Sequence, residues 1–291
     1  FLLLAGSILY ALFPGISFSD SRAVKINSHE NEANISYQEQ GNGKKVLCIH
    51  GLASCKKSFD SISNFLPDYN TIAFDQLGCG QSSIPPVSYN LEDSVNDAIN
   101  FMDMVNIQEC NAIGHSLGAY LLLQLKKRDS RIKKAVYISG HIPGITEKSG
   151  KMNLFLSDLS FYFMNKPFFT KITKCMYYNK KAEGIEEQIN ARYAFLREKS
   201  RWDAMQKMFH EAETAFKQYS TEEFRKESEG VLCIHGRGDN LFHLVKNPEE
   251  RFAGLYPKSK LVLIEKAGHE PQVEKAKEVS EIIRHFFSPR A

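Results

Sequence analysis

The sequence predicts an α/β fold: a mostly parallel, doubly wound sheet of eight strands with an inserted helical lid. Short apolar runs typical of buried strands alternate with segments of helical periodicity. Between Gly140 and Val231 this alternation stops, and helical patterning continues without a strand-like run. The 291 residues, 43% of them hydrophobic, suffice for one large core with an inserted subdomain.

The pattern predicts eight strands and five main helices. Because the turn Gly41-Asn42-Gly43 joins the first two strands to the third, we expect those two to form an antiparallel edge. The predicted strands span residues 22–27, 33–40, 45–50, 71–75, 110–114, 134–139, 231–235 and 260–265. The predicted helices span residues 56–66, 91–105, 117–128, 247–254 and 271–287.

These elements divide the chain into four segments. Residues 1–20 form a hydrophobic segment that resembles a signal or an anchor. Residues 21–140 form the first part of the core, residues 141–218 the helical lid, and residues 219–291 the second part of the core.

A serine lies between two glycines in Gly114-His115-Ser116-Leu117-Gly118, after a short apolar strand and before an apolar helix. A strand-to-helix turn of this kind exposes a serine for nucleophilic attack. A side chain in place of either glycine would collide with backbone in so tight a turn. The helix also directs its first N–H groups toward developing negative charge. A serine between two such glycines also occurs by chance, so the motif alone is weak evidence. Its position between a strand and a helix makes Ser116 the candidate nucleophile.

A nucleophilic serine needs a base that takes its proton and a third group that orients the base. The candidates are His269 for the base and Asp239 for the orienting group. Asp239 follows the strand at 231–235, and His269 follows the strand at 260–265. Both lie beyond the carboxyl ends of strands, where open α/β sheets place their ligands. The chain order serine, acid, histidine is the one expected on this kind of sheet. Asp75 also follows a strand, but the glycines after it favour a carboxylate that stabilises a turn.

With these motifs, the chain resembles the α/β-hydrolase family from about Val24 to Phe287. Two positions depart from the family pattern: Leu77 stands where a basic residue is frequent, and no proline closely follows Asp239. The matching pieces are His50-Gly51 after Val46-Leu47-Cys48-Ile49, Asp75-Gln76-Leu77-Gly78-Cys79-Gly80-Gln81-Ser82, the Ser116 turn, Asp239 and Gly268-His269-Glu270-Pro271.

The resemblance implies a role for each matching position. Ser116 is expected to be the nucleophile, Asp239 the acid and His269 the base. The backbone N–H groups of Leu52 and Leu117 are expected to form the oxyanion hole. No cofactor is implied.

We therefore expect a serine hydrolase that cleaves carboxylic esters with a lipophilic acyl or alcohol part, through an acyl-enzyme. Two alternatives remain. The same triad could hydrolyse carbon–carbon bonds or amides, or the protein could be a receptor for a small ligand built on the same fold. Part of the lid's apolar residues would line a pocket over Ser116, and the rest would form the lid's own core. These residues are Met152, Leu154, Phe155, Leu156, Leu159, Phe161, Tyr162, Phe163, Met164, Phe168 and Phe169.

Charge and composition limit the partners. The net charge of +3, from 37 basic and 34 acidic residues, is too balanced for a nucleic-acid binder. The histidines and cysteines show no metal-ligand spacing, so we predict no metal site. The expected partner is a small-molecule ester, with lipids included, and the oligomeric state is left open.

The first residues form a separate feature. Residues 1–13 are almost wholly apolar, which is short for a membrane span and suits a signal-peptide core or an interfacial segment. Because the sequence does not begin with Met, a longer natural chain with a single membrane anchor is also compatible with it. We expect membrane association through residues 1–18, or export, and otherwise a cytoplasmic protein.

Overall fold

A computed structural model describes residues 21–28, 31–149 and 165–288. Eight of the described strands form one sheet, and the other two pair separately. The strands are β1 (Arg22–Ser28), β2 (Asn31–Gln40), β3 (Lys44–Ile49), β4 (Tyr69–Phe74), β5 (Cys110–His115), β6 (Ile132–Ile138), β7 (Thr146–Lys148), β8 (Leu232–Gly236), β9 (Phe242–Leu244) and β10 (Lys260–Ile264).

Helices lie on both faces of this sheet. A 3₁₀ turn at Lys56–Phe59 leads into the first of them. The α-helices among the described residues are α1 (Asp60–Ser63), α2 (Leu91–Met104), α3 (Leu117–Arg128), α4 (Lys166–Lys174), α5 (Ile185–Leu196), α6 (Lys199–Gln218), α7 (Thr221–Glu227), α8 (Pro248–Leu255), α9 (Pro271–Glu274) and α10 (Ala276–Phe287).

The main sheet has the strand order β1-β2-β4-β3-β5-β6-β8-β10. The pairs β1–β2 and β2–β4 are antiparallel, and the pairs from β4 to β10 are parallel. The predicted eight-stranded, mostly parallel sheet with an antiparallel edge is confirmed.

The central strands are buried on both faces, as the uninterrupted apolar runs predicted. In β3, Leu47 and Ile49 face one core, which α2 and α3 cover. Val46 and Cys48 face the other core, which α1 and α10 cover. This arrangement holds the carboxyl ends of β3, β5, β8 and β10 at one edge of the sheet, where the site lies.

Two local predictions differ from the structure. The stretch predicted to lack strands contains β7, which pairs with β9 and is too short to leave an apolar run in the sequence. The single helix predicted at 271–287 breaks at Lys275, which has φ −134° and ψ 40°. Just before the break, the Glu274 carboxylate accepts hydrogen bonds from the backbone N–H groups of Gly268 and Asn179.

Helices α4, α5 and α6 lie between β7 and β8, and we call residues 165–218 the insert. The fully buried Trp202 of α6 belongs to an apolar cluster that joins Phe169 and Ile189 of the insert to Cys55 and Val273 of the sheet domain. Of the apolar residues listed for the predicted lid, those from Met152 to Met164 lie outside the described residues, as do residues 1–20. Within the part of the chain that the structure describes, no helix has the length and apolar character to cross a membrane.

Candidate active site

Ser116 occupies a strained turn between β5 and α3, with φ 53° and ψ −118°. A Cβ atom at Gly114 would lie 2.4 Å from the carbonyl oxygen of Gly118, and one at Gly118 would lie 2.2 Å from the carbonyl oxygen of Ile49. Only glycine fits at either position. The two glycines thus let the turn pack against β3 while it presents the hydroxyl.

The structure brings together Ser116, His269 and Asp239. The Nε2 atom of His269 lies 3.1 Å from the Ser116 hydroxyl oxygen, and its Nδ1 atom lies 2.8 Å from Oδ2 of Asp239. An ionised carboxylate only accepts hydrogen bonds, so Nδ1 carries the proton and Nε2 is free to accept one from the serine. This order of contacts is what base-assisted attack by a hydroxyl requires.

Several hydrogen-bond donors hold the carboxylate of Asp239, which lies on the loop after β8. Its Oδ1 atom accepts from the backbone N–H of Leu241 at 2.7 Å and of Phe242 at 3.0 Å. The Nε2 atom of His235 lies 3.3 Å from its Oδ2 atom. Burial alone would raise the pKa of Asp239, but His269, His235 and the N–H of Phe242 lower it to about 2. The carboxylate is therefore ionised at any pH at which the protein would work.

The expected oxyanion donors border the same space. Leu117 begins α3, and the first N–H groups of a helix have no acceptor within it. A Cβ atom at Gly51 would lie 2.9 Å from the Cβ atom of Ser116, so the loop that carries Leu52 runs directly against the nucleophile. Leu52 and Leu117 both line the cavity above Ser116.

Backbone of the insert contacts both loops that carry the acid and the histidine. The N–H of His269 donates to the carbonyl of Met176 at 2.8 Å. The side-chain amide of Asn240 donates to the carbonyl of Cys175 at 3.1 Å. A Cβ atom at Gly268 would lie 2.3 Å from the Met176 oxygen. The segment after α4 is therefore a fixed wall of the site.

A buried ion pair next to His269 was not predicted from the sequence. Arg192 of α5 and Glu270 have their charged atoms Nη2 and Oε1 2.5 Å apart, with both side chains almost fully buried. The hydroxyl of Tyr177 donates to the other carboxylate oxygen of Glu270 at 2.9 Å. In the sequence Glu270 is only a neighbour of His269 in the histidine motif, and nothing there links it to Arg192.

Asp75, the alternative acid, has partners of its own. Its carboxylate pairs with the ammonium of Lys56 at 2.7 Å, in a buried setting. It also accepts from the backbone N–H groups of Lys56 and Gln81. These contacts give it the turn-stabilising position that the following glycines indicated.

The other histidines near the site hydrogen-bond to protein groups. His50 accepts from the backbone N–H of Gln76, the Nε2 atom of His115 lies 2.9 Å from the carbonyl of His269, and that of His235 lies 3.1 Å from the carbonyl of Phe242. Burial lowers the pKa of His115 to about 3, and it lowers the pKa of both His50 and His235. Burial and the nearby Lys148 lower the pKa of His141 to about 4.

These lowered pKa values predict a loss of stability in mild acid. The unfolded chain protonates its histidines near pH ~6.5, whereas the native state holds these four neutral to lower pH. At pH values below ~6.5 the free energy of unfolding should therefore decrease. The decrease is about 1.4 kcal/mol per pH unit for each proton that the unfolded chain binds in excess of the native state. Asp60 opposes this, because burial raises its pKa to about 6, and burial also raises the pKa of Glu274.

Urea unfolding at pH 7 and pH 5 measures this effect. His141→Gln, which keeps a hydrogen-bonding group near Thr146, should reduce the pH dependence. A midpoint that is equal or higher at pH 5 would contradict the prediction.

A mostly apolar cavity of about 390 Å³ opens above Ser116. This volume suits a small-molecule site. The residues that line it are Leu52, Ala53, His115, Ser116, Leu117, Lys148, Ile172, Thr173, Cys175, Met176, Lys180, Phe209, Ala212, Glu213, Phe216, Asn240, Leu241, Phe242, His269 and Glu270. Across residues 21–28, 31–149 and 165–288, no cluster of histidine, cysteine and carboxylate side chains has the makings of a metal site.

The fold and this geometry define the class of site found in serine hydrolases. A family model described as "alpha/beta hydrolase fold" matches residues 44–276. The chain belongs to the α/β-hydrolase family, as the sequence motifs indicated.

Curated relatives are similar at low identity. A 2-hydroxy-6-oxo-6-(2'-aminophenyl)hexa-2,4-dienoic acid hydrolase of Metapseudomonas resinovorans is 22% identical over 263 residues, which cover 88% of each chain. An (E)-2-((N-methylformamido)methylene)succinate hydrolase of Acinetobacter baylyi is 29% identical over 112 residues, which cover 38% of this chain and 43% of the relative.

Solved structures share the fold. A putative lipase from Acinetobacter baumannii superposes with a TM-score of 0.77 at 20% identity, covering 92% of this chain and 90% of the other. A 2-hydroxy-6-oxo-6-phenylhexa-2,4-dienoate hydrolase from a Rhodococcus species gives a TM-score of 0.74 at 16% identity, covering 92% and 99%. At these identities the likeness establishes the architecture alone.

Proposed function

We propose that this hydrolase cleaves carboxylic esters with a lipophilic acyl or alcohol part, through an acyl-enzyme on Ser116. The observation that carries the proposal is the continuous set of contacts from Asp239 through His269 to Ser116, placed under a largely apolar cavity. The insert, which supplies much of that cavity, is proposed to be the lid.

The contacts support the following sequence of steps. His269 Nε2 takes the hydroxyl proton as the Ser116 oxygen bonds to the ester carbonyl carbon. The carbonyl oxygen becomes an oxyanion, which the N–H groups of Leu52 and Leu117 stabilise. The carbon–oxygen bond to the alcohol then breaks, and the alcohol leaves with the proton from His269. Water repeats the cycle on the acyl-enzyme, which releases the acid and restores Ser116.

Labelling with a fluorophosphonate tests the assignment of the nucleophile. The purified protein should react at one residue, Ser116, and Ser116→Ala should abolish both labelling and hydrolysis of 4-nitrophenyl butyrate. Ser139→Ala is a matched control, because Ser139 is a buried serine that also follows a strand of the sheet. Rapid labelling at a serine other than 116 would overturn the assignment.

A second candidate is carbon–carbon bond hydrolysis, which the relative from Metapseudomonas resinovorans favours because it matches along almost the whole chain. Such an enzyme would use the same three residues. Incubation with a 2-hydroxy-6-oxo-hexa-2,4-dienoate, followed by loss of its visible absorbance, separates the two candidates. A kcat/KM for the dienoate far above that for every ester would replace the ester proposal.

The cavity predicts a dependence on acyl chain length. Each methylene buried against apolar walls contributes about 0.8 kcal/mol. We expect kcat/KM for 4-nitrophenyl esters to rise with each added carbon from acetyl until the cavity is full. A flat or falling profile beyond acetyl would mean that the apolar residues only stabilise packing.

We also propose that residues 1–18 associate with a membrane or direct export, on the strength of their apolar sequence. Deletion of residues 1–20 should leave ester hydrolysis intact, because Ser116, Asp239 and His269 all lie downstream. The full chain should sediment with membranes or be shortened near Ser19, whereas the truncated chain should stay in the supernatant. Full-length chain found unprocessed in the supernatant would contradict the proposal.

A further inference from the structure

An ion pair lies in the wall of the cavity. The ammonium of Lys148, at the end of β7, pairs with the carboxylate of Glu213 on α6, and both side chains are largely buried. The same ammonium lies 4.8 Å from the centre of the Phe209 ring, also on α6. These contacts hold the lysine against the insert, and its charge is cancelled where it meets the cavity.

Apart from Lys180, the other ionisable groups among the described residues of the cavity wall are paired or neutral. Glu270 is paired with Arg192, and His269 carries no charge while its Nε2 atom is free to accept the serine proton. Among the charged side chains lining the cavity in the described part of the chain, Lys180 alone has no ion pair, and it is exposed. A cation in that position is solvated and screened, so it contributes little to binding inside the cavity.

These pairings bear on which substrates can enter. A carboxylate on the substrate would lose its hydration inside the cavity without gaining a free cation from the described residues of its wall. Near Lys148 it would also meet the carboxylate of Glu213, and like charges in contact cost several kcal/mol. An uncharged substrate meets neither cost.

We propose that Glu213, by neutralising Lys148, restricts the cavity to uncharged substrates and excludes esters that carry a carboxylate. This inference rests on the proposed function and narrows its substrate class to neutral esters. It sets the chain apart from the two relatives described above, whose names specify a dienoic acid and a succinate as substrates.

The test compares two esters that differ in charge and share a leaving group: mono-4-nitrophenyl adipate and its methyl ester. For the natural sequence, kcat/KM for the methyl ester should exceed that for the free acid by at least about 100-fold. Glu213→Gln frees the ammonium of Lys148 and should lower this ratio by about tenfold or more. Lys148→Met leaves Glu213 unpaired and should raise the ratio.

Two further variants complete the design. Lys148→Met combined with Glu213→Gln removes both charges and should return the ratio toward that of the natural sequence. Asp203→Asn, which breaks an exposed ion pair with Lys199 on the same helix, should leave it unchanged. Equal kcat/KM values for the two esters in the natural sequence, or an unchanged ratio in Glu213→Gln, would overturn the proposal.

Binding of the two esters to the Ser116→Ala variant measures the same selectivity without turnover. Calorimetry should give a Kd for the methyl ester at least about 100-fold below that for the free acid. If the natural sequence hydrolyses neither ester while this difference in Kd is found, the proposed function fails and the selectivity stands. If both esters are hydrolysed and bound equally, the selectivity fails and the proposed function stands.

Discussion

Replacing Asp239 by Asn is expected to lower kcat for ester hydrolysis by about 10⁴-fold with little loss of stability. An amide can donate to Nδ1 of His269, which would leave the proton on Nε2 and remove the acceptor for the hydroxyl of Ser116. The hydrogen bonds from Leu241 and Phe242 can still be accepted by the amide oxygen. Steady-state kinetics with 4-nitrophenyl butyrate, together with urea unfolding, measures both effects.

Asp75→Asn is the matched control for this variant. It removes a buried charge from Lys56, so the free energy of unfolding should fall, while the folded fraction should keep its kcat. The assignment of the acid is wrong if Asp239→Asn keeps near-normal kcat and Asp75→Asn loses it without unfolding.

The second large effect is expected at the buried pair of Arg192 and Glu270. Arg192→Met leaves a carboxylate unpaired in the interior, which should lower the free energy of unfolding by about 3–5 kcal/mol. The double variant Arg192→Met and Glu270→Met removes both charges and should recover most of that loss. Urea unfolding of the two variants and the natural sequence gives the comparison.

A matched surface pair serves as the control. Breaking the exposed pair of Arg225 and Glu222 by Arg225→Met should change the free energy of unfolding by less than about 1 kcal/mol. If Arg192→Met is as mild as this control, the buried pair does not hold the insert to the histidine loop.

The parts of the fold that could be predicted are those that short stretches of sequence indicate by themselves. The strand before Ser116 is a short apolar run, the turn has two glycines, and Asp239 and His269 each follow a strand. Parallel strands bring their carboxyl ends to one edge, so the contacts among these three residues follow from the order of elements. The assignment of catalytic roles stays a prediction until the kinetic tests are made, as does the division of the chain into segments.

The features that the sequence did not predict depend on contacts between distant segments. Arg192 occupies an ordinary helical position, and only the packing of α5 against the histidine loop brings it to Glu270. His235 lies in the strand before Asp239, and its approach to the Asp239 carboxylate depends on how the chain turns after β8. The pairing of β7 with β9 involves three residues on each side, which is too few for a periodic pattern.

The hydrogen bond from His269 to the carbonyl of Met176 has a consequence for protein engineering. Exchange of the region between β7 and β8 for that of a relative is an obvious way to transplant selectivity. A segment taken from a relative whose backbone does not place a carbonyl here would leave the N–H of His269 without an acceptor. The imidazole of His269 would then lose its alignment. Chimaeras should therefore retain residues 175–179 of the recipient and take only the helices on either side.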